Sequence, residues 1–293
     1  MTDRAKIANV LSIVDNAERK AERRASKPVS GEKEIVPVKR KLDRRNRPLR
    51  TVQEATSLAD RERLELTRME EAKLFSDRQL EQLGIVHPRS KNRPMVDAIR
   101  QLRTKLYSLQ PDSNFTVMVC SVVPEGGGSF VALNLASAIA FDQSKSSLLI
   151  DANLHEPVLH KILKLIGRDN TPGLVDYLDA PEMGVEKIVN PSGIPRLRII
   201  PIGDNSHGSA EHFSTQRYQQ LMHDIKSRYS NRYVIVDGPS LSSSTDAKIL
   251  SDICDYTVLV VPYGGVTPGT LDSLIDELDE RKLAGIVIND QPN

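Results

Sequence analysis

The chain has 293 residues, of which 39% are hydrophobic and 27% charged, and its formal net charge at neutral pH is +1. This length allows one sizeable α/β core with an appendage, and the composition excludes a fully disordered protein and one built from membrane spans. No apolar run reaches the roughly 18 residues that would cross a bilayer.

The N-terminal region is basic. Residues 1–50 hold 15 Lys and Arg against 7 Asp and Glu, which leaves a net charge of −7 for the rest of the chain. Apolar residues recur here at the spacing of one helix face, namely Ile7, Val10, Leu11 and Val14. We predict a basic N-terminal region over residues 1–90, with a short amphipathic helix and a linker, and an α/β domain over residues 91–293. The start of the chain lacks the pattern of a secretory signal, which favours a cytoplasmic protein.

Helical and strand patterns alternate from about residue 94. The segment MVDAIRQLRTKLYSL places four apolar residues on one helix face, Val96, Ile99, Leu102 and Leu106. Beyond it, strand-like apolar runs follow at FTVMVCS, LLID, LRIIPI, YVIVD, YTVLVVP and AGIVIND. Because such runs alternate with helix-length segments, we expect a mostly parallel sheet with helices on both faces. Cys120 and Cys254 belong to or adjoin such runs, so we expect both to be buried and reduced.

A glycine-rich turn, PEGGGS, links the first of these strands to a helix. In a phosphate-binding loop, glycines let backbone N–H groups surround an anion, and the following helix points its N-terminus at it. The Ser129 hydroxyl stands where such a loop ligates Mg²⁺, whereas Gly128 stands where the lysine of Gly-x-x-x-x-Gly-Lys-Ser/Thr would be. The alternative is that this segment is only a tight strand-to-helix turn.

Aspartates close two of the other strand patterns. Asp151 ends LLID and Asp237 ends YVIVD, and ligands of open parallel sheets bind at these carboxyl ends. An aspartate at a strand end also serves as a helix cap. Together with the glycine-rich turn, however, three such strand ends in one chain favour a ligand site.

Residues 121–289 resemble the ATPase domain of the bacterial tyrosine kinases (BY-kinases) of capsule and exopolysaccharide synthesis, which are P-loop proteins related to the partition ATPases. PEGGGSF with the following NLASAIA resembles the family's Pro-Gly-Glu-Gly-Lys-Ser-Thr loop and Asn-Leu-Ala helix. LLIDANLHEP resembles its Asp-Ala-Asp-Leu-x-x-Pro motif, VIVDGPS its Asp-x-Pro-Pro motif, and GIVIND its closing strand. PGLVDYL resembles a further Pro-Gly-Leu segment of the family.

The resemblance implies ATP or ADP and Mg²⁺ as ligands. The residues it assigns to nucleotide binding are Glu125, Gly126, Gly127, Gly128, Ser129, Phe130 and Asn289. It assigns Mg²⁺ to Ser129, Asp151 and Asp237, and a catalytic role to the two aspartates. The helix that mediates ring-like self-association in the family, Glu-x-x-Arg-x-x-Arg, is similar to Asp97, Arg100 and Arg103. The alternative for these three residues is an ordinary solvent-exposed helix face.

The sequence departs from the family pattern at positions that take part in nucleotide binding and catalysis in the family. The family's loop lysine, loop threonine and second aspartate are replaced by Gly128, Phe130 and Asn153, and the last tyrosine is Tyr263, so the C-terminal tyrosine cluster is absent. We therefore expect weakened nucleotide binding and impaired catalysis.

Three functions remain open at this point. The first is a BY-kinase-like pseudokinase that regulates or scaffolds polysaccharide synthesis. It would be cytoplasmic, peripheral to the inner membrane, docked on the cytoplasmic face of a membrane polysaccharide copolymerase or chain-length protein, and able to form homo-oligomers.

The second is an active ATPase or tyrosine kinase with a displaced cation, for which Lys91, Lys105 and Lys145 are candidates without a spacing argument. The third is a partition-like protein that binds nucleic acid through KRKLDRRNRPLR, which the lack of aromatic residues in that segment disfavours.

Overall fold

The computed structural model describes residues 10–14, 75–111, 113–157, 159, 161, 171–204, 210–228 and 231–291. Its strands are β1 (Val10–Val14), β2 (Thr116–Ser121), β3 (Ser146–Asp151), β4 (Asn190–Pro191), β5 (Leu197–Ile200), β6 (Arg232–Asp237), β7 (Tyr256–Pro262) and β8 (Leu283–Gln291). They form one sheet in the order β1-β8-β7-β2-β6-β3-β5-β4. The six strands from β8 to β5 are parallel to one another, and β1 and β4 pair antiparallel at the two edges. The predicted mostly parallel sheet is confirmed.

Helices cover both faces of this sheet. They are α1 (Asp77–Gln82), α2 (Arg93–Leu109), α3 (Gly128–Ala140), α4 (Leu174–Asp179), α5 (Gln216–Arg228), α6 (Asp246–Ile253) and α7 (Pro268–Asp276), with 3-10 turns at Val185–Lys187 and Ala210–Ser214. In β2, Val117 and Val119 pack into a cluster with α2 and α3, whereas Met118 and Cys120 pack into a cluster with α5, α6 and α7. This alternation follows from the two-residue period of a strand, and it explains why the whole run is apolar.

The predicted amphipathic pattern of α2 is confirmed. Its four predicted apolar residues are each at most 4% exposed, and the helix packs on α3. The Asn92 side chain caps the helix by accepting a hydrogen bond from the Met95 backbone N–H at 3.2 Å. Pro94 follows in the first turn, where its missing N–H costs no hydrogen bond.

The prediction of an N-terminal helix is wrong over Val10–Val14. These residues form β1, which pairs antiparallel with β8, for example Val14 with Ile286. Val and Ile are β-branched and suit a strand, and the free edge of β8 offers hydrogen-bonding partners that a local helix pattern cannot reveal. The rest of the predicted helix and the basic linker lie outside the described residues.

The packed region includes residues 75–90, which the predicted boundary at residue 91 assigned to the N-terminal region. Phe75, Leu80 and Ile85 are buried in the core beside α2 and α3. The Val86 backbone N–H also donates to Asn134 Oδ1 at 2.7 Å. The sequence also predicts a helical stretch from about residue 157 to residue 165, and most of it falls outside the described part of the chain.

Both cysteines are buried and free, as expected for reduced thiols. Burial raises the pKa of Cys120 and of Cys254 to about 12, so neither thiol is ionised at neutral pH. Within the described residues, no helix combines the length and apolar character needed to cross a membrane.

Candidate functional site

The glycine-rich turn joins β2 to α3 at the carboxyl edge of the sheet. Gly127 has a φ of 92°, in the left-handed region that favours glycine, and caps α3 without any side-chain hydrogen bond. The first hydrogen bond of the helix runs from the Val131 N–H to the Gly127 carbonyl at 3.1 Å. The N–H groups of residues 128–130 therefore precede the helical ladder and are able to bind an anion.

A cavity of about 430 Å³ opens in front of this turn. All six consecutive residues predicted to bind nucleotide, 125–130, line it. The cavity is also lined by Asn153 and Lys161 from the segment after β3 and by Ser240 from the segment after β6. Three strand ends thus contribute to one cavity, as expected at the carboxyl edge of a parallel sheet.

Gly128 occupies a position with no room for a side chain. A Cβ atom built there would lie 2.8 Å from the Ser121 backbone nitrogen and 3.3 Å from the Cys120 carbonyl carbon. The start of α3 therefore approaches the backbone of β2 more closely than any residue except glycine permits. A lysine at this position would require a shift of the backbone as well as adding a charge.

Asn289 fastens the glycine-rich turn to the last strand. Its Nδ2 donates to the Gly126 carbonyl at 3.4 Å, and its own carbonyl accepts from the Tyr263 N–H at 2.7 Å. A Cβ at Gly127 would come within 2.1 Å of Asn289 Nδ2. The nucleotide-binding role predicted for Asn289 is untested, and its observed contacts support the shape of the turn.

The two aspartates lie side by side. Asp151 and Asp237 are paired in the register of β3 and β6, and both are fully buried. Asp151 accepts hydrogen bonds from two backbone N–H groups of the segment that follows it, those of Asn153 at 3.3 Å and Leu159 at 3.2 Å. Among the described residues, none makes a hydrogen bond of normal geometry to either carboxyl oxygen of Asp237.

Burial raises the pKa of Asp237 well above its ordinary value of 3.8, and the neighbouring Asp151 charge raises it further. The nearby Ser129 hydroxyl acts in the opposite direction and lowers the pKa. A carboxylate in this environment is stabilised by a bound cation, which would supply the missing positive charge. Asp237 is therefore the acidic group of this cavity that is best suited to hold a metal ion.

The residues predicted to hold Mg²⁺ are brought together. Asp151 and Asp237 are adjacent, and Ser129 lies against Asp237. Mg²⁺ is bound in many phosphate sites by one or two carboxylates, with phosphate and water oxygens as its remaining ligands. In the described residues no group of three or more His, Cys, Asp or Glu side chains could hold a metal by itself. The donor set here thus fits Mg²⁺ that arrives with a phosphate ligand.

Lys161 is the site residue that sequence analysis missed. It lines the cavity, ten residues beyond Asp151, and its position after a strand end is the signal that could have identified it.

Of the three lysines considered from sequence, Lys145 donates to the Tyr233 hydroxyl at 3.0 Å, and its Nζ lies 4.9 Å from the centre of the Tyr107 ring. Lys91 precedes the N-cap of α2 and Lys105 lies within that helix, and neither lines the cavity.

The residues predicted to mediate self-association lie on α2. Asp97 and Arg100 are exposed and 4.0 Å apart, whereas Arg103 donates to the Ala138 carbonyl at 2.7 Å and so joins α2 to α3. Arg100 and Arg103 also line a second cavity of about 470 Å³ beside Phe141. Arg103 therefore has a structural role within the domain, and self-association through these residues stays a prediction.

The chain is similar in sequence to proteins that are named as tyrosine kinases. No protein-family model matches the chain. EpsB of Ralstonia solanacearum, named as a tyrosine-protein kinase, is 33% identical over 199 residues, which cover 67% of this chain and 26% of that protein. The tyrosine-protein kinase YwqD of Bacillus subtilis is 31% identical over 183 residues, which cover 62% of this chain and 73% of that protein.

Solved structures show the same fold. The kinase domain of the Escherichia coli tyrosine kinase ETK superposes with a TM-score of 0.58 at 24% identity, over 67% of this chain and 74% of that domain. The chain spans about a quarter of the length of the first curated relatives that it matches, 26% in the case of EpsB. The similarity therefore concerns the α/β domain.

Proposed function

The chain belongs to the family of bacterial tyrosine kinases, and from this premise we propose that it is a catalytically impaired member with a regulatory or scaffolding role in exopolysaccharide or capsular polysaccharide synthesis. It binds Mg·ATP or Mg·ADP weakly and docks on the cytoplasmic face of a membrane polysaccharide copolymerase, peripheral to the inner membrane. The observation that carries this proposal is Gly128, which stands at the family's lysine position and whose Cβ space is occupied by the Ser121 backbone.

The loss of this lysine affects transfer more than binding. A charged hydrogen bond contributes about 1.5–3 kcal/mol, so its loss weakens binding without abolishing it. A cation placed on a transferring phosphoryl group contributes on the order of 10³ or more to the rate. The turn at residues 127–130, which has no side-chain cap, and the buried Asp237 carboxylate, which accepts no hydrogen bond of normal geometry, still favour a Mg²⁺-phosphate ligand. Retained binding with lost turnover is the combination that a scaffold controlled by nucleotide requires.

An active ATPase or tyrosine kinase is the second candidate, and the presence of Lys161 in the cavity favours it. A nucleic-acid-binding role rests on KRKLDRRNRPLR, which lies outside the described residues, and no feature of the cavity favours it. A measurement of ATP turnover distinguishes the catalytically impaired protein from the active enzyme.

Turnover is tested with radiolabelled ATP and Mg²⁺ on the purified full chain, with released phosphate and phosphotyrosine as readouts. We expect both to stay at the level of the matched variant Asp237→Asn, because the transferring phosphoryl group lacks its loop cation. Clear turnover by the natural sequence that disappears in Asp237→Asn would establish the second candidate instead.

The position of the missing lysine is tested with the pair Gly128→Ala and Gly128→Lys. Both variants bear the cost of placing a Cβ against Ser121, about 1–3 kcal/mol of stability, so their difference isolates the ammonium group. We expect Gly128→Lys to bind Mg·ATP at least about tenfold more tightly than Gly128→Ala in isothermal titration. Equal affinities would contradict the view that a missing charge limits this site.

Docking is tested by cell fractionation. In a host that carries the copolymerase gene, we expect the full chain in the membrane fraction, and after deletion of that gene we expect it in the supernatant. Immunoblots of whole cells control for the amount of protein. A distribution unaffected by the deletion would contradict the proposed partner.

A further inference from the structure

We propose that Lys161 supplies the positive charge that the glycine-rich turn lacks, by contacting the phosphates of a nucleotide held in the cavity; this inference rests on the nucleotide binding proposed above. Lys161 lines the same cavity as the glycine-rich turn, but it belongs to the segment that follows β3. The charge would thus come from the end of β3 rather than from the start of α3.

The charges around the cavity support this assignment. Among the described residues that line it, Lys161 is the one cation, and the charged side chains beside it are those of Glu125 and Glu156. Asp151 and Asp237 add acidic groups at the adjacent strand ends. Without Lys161 this surface would repel a polyphosphate, because opposite charges are needed to offset the desolvation of an anion.

Described residues that precede Lys161 are fixed to the end of β3. Asp151 Oδ2 accepts from the Leu159 N–H at 3.2 Å, two residues before the lysine, and the Leu159 side chain is buried in the core. Asn153 Oδ1 accepts from the N–H groups of His155 and Glu156 at 3.2 and 3.0 Å, which folds residues 153–156 into a turn. These contacts place the start of the segment beside the cavity that Lys161 lines.

Asp151 shapes the start of the segment that contains Lys161. Its two backbone hydrogen bonds, from the N–H groups of Asn153 and Leu159, tie these residues to the end of β3. The same arrangement accounts for Asn153, because an amide oxygen accepts backbone hydrogen bonds as well as a carboxylate oxygen does.

The test measures binding of Mg·ATP, Mg·ADP and adenosine to the full chain by isothermal titration at fixed ionic strength. We expect Lys161→Gln to weaken Mg·ATP binding about tenfold and Mg·ADP binding less, and to leave adenosine binding unchanged, because the lost contact is with phosphate. Lys161→Arg should retain most of the affinity since it keeps the charge. Lys187→Gln, at an exposed lysine that does not line the cavity, is the matched control and should bind all three ligands normally.

The possible results separate this inference from the proposed function. If the natural sequence binds Mg·ATP and Lys161→Gln binds it equally well, with the same urea midpoint, the role of Lys161 is refuted and nucleotide binding stands. If the natural sequence binds no Mg·ATP at millimolar concentration, both are refuted. Docking on the copolymerase is then still decided by fractionation alone. An equal loss for all three ligands would show that Lys161 acts only on the fold.

Discussion

Strands β3 and β6 both end in an aspartate, and the two aspartates differ in their hydrogen bonds. Asp151 and Asp237 are paired in register and equally buried. Asp151 binds two backbone N–H groups of the segment that follows it, whereas neither carboxyl oxygen of Asp237 accepts a hydrogen bond of normal geometry in the described structure, and the Ser129 hydroxyl is the polar group beside it. Position at a strand end and burial therefore do not reveal whether a carboxylate is satisfied by backbone donors; the hydrogen-bond donors around it do.

This difference has opposite energetic consequences. Hydrogen bonds from backbone N–H groups stabilise the Asp151 side chain in the folded state. Asp237 is desolvated without such compensation, and its raised pKa reflects that cost. The desolvation of Asp237 destabilises the folded protein next to a phosphate-binding turn. We expect the binding of a cation to offset this cost.

The largest expected effect comes from making the same substitution at both positions. Asp151→Asn can keep one backbone hydrogen bond and leaves the other N–H without an acceptor, so we expect a loss of about 2 kcal/mol in the free energy of unfolding. Asp237→Asn removes a desolvated acid and should leave stability unchanged or raise it. Urea denaturation at pH 7 measures both variants. Equal losses would show that the two aspartates have the same structural role.

The second prediction concerns Mg²⁺. We expect the natural sequence to bind ATP about tenfold more tightly with Mg²⁺ than with EDTA, a difference of about 1.4 kcal/mol, because the Asp237 carboxylate completes the coordination of the ion. In Asp237→Asn this ratio should fall close to one. Titration of a fluorescent ATP analogue with and without EDTA provides the measurement. A ratio that persists in the variant would place the ion elsewhere.

The smallest expected effect is a pH dependence of stability. Since the folded-state pKa of Asp237 lies above 3.8, the folded protein binds more protons than the unfolded chain between these two pKa values. The contribution of Asp237 to stability is therefore present below the unfolded pKa and is lost as the pH rises toward the folded pKa. Between pH 5 and pH 7 we therefore expect the free energy of unfolding of Asp237→Asn to increase relative to that of the natural sequence.

Urea midpoints measured across this pH range test the sign of the effect. If the Asp237→Asn difference instead shrinks as the pH rises, Asp237 is stabilised as a carboxylate and already has a partner in the folded protein.

The sequence was sufficient for the six parallel strands of the sheet, the face of α2 and the three strand ends. These features depend on the spacing of apolar residues along the chain. Both the two-residue spacing of strands and the 3.6-residue spacing of helices are clear in the α/β domain. The segments at Asp151 and Asp237 show where such reasoning stops. Both aspartates follow the same apolar pattern, and only the path of the later chain decides that Leu159 donates to one of them.

Two other features were missed for related reasons. The pairing of β1 joins residues separated by most of the chain, and its apolar spacing also satisfied a helix pattern. Lys161 was overlooked because its relation to the cavity depends on how the segment after β3 folds back. Long-range placement, rather than residue type, limited prediction of the site.

The contact between Asn289 and Gly126 has a consequence for how a ligand is received. The Asn289 amide side chain ties the turn to β8, and the N–H of Tyr263 holds Asn289 itself through its backbone carbonyl. A ligand therefore meets a turn that folding has already ordered, and the entropy of ordering it is not lost on association. Under the proposed function, a protein with impaired turnover can in this way still respond to nucleotide as a signal.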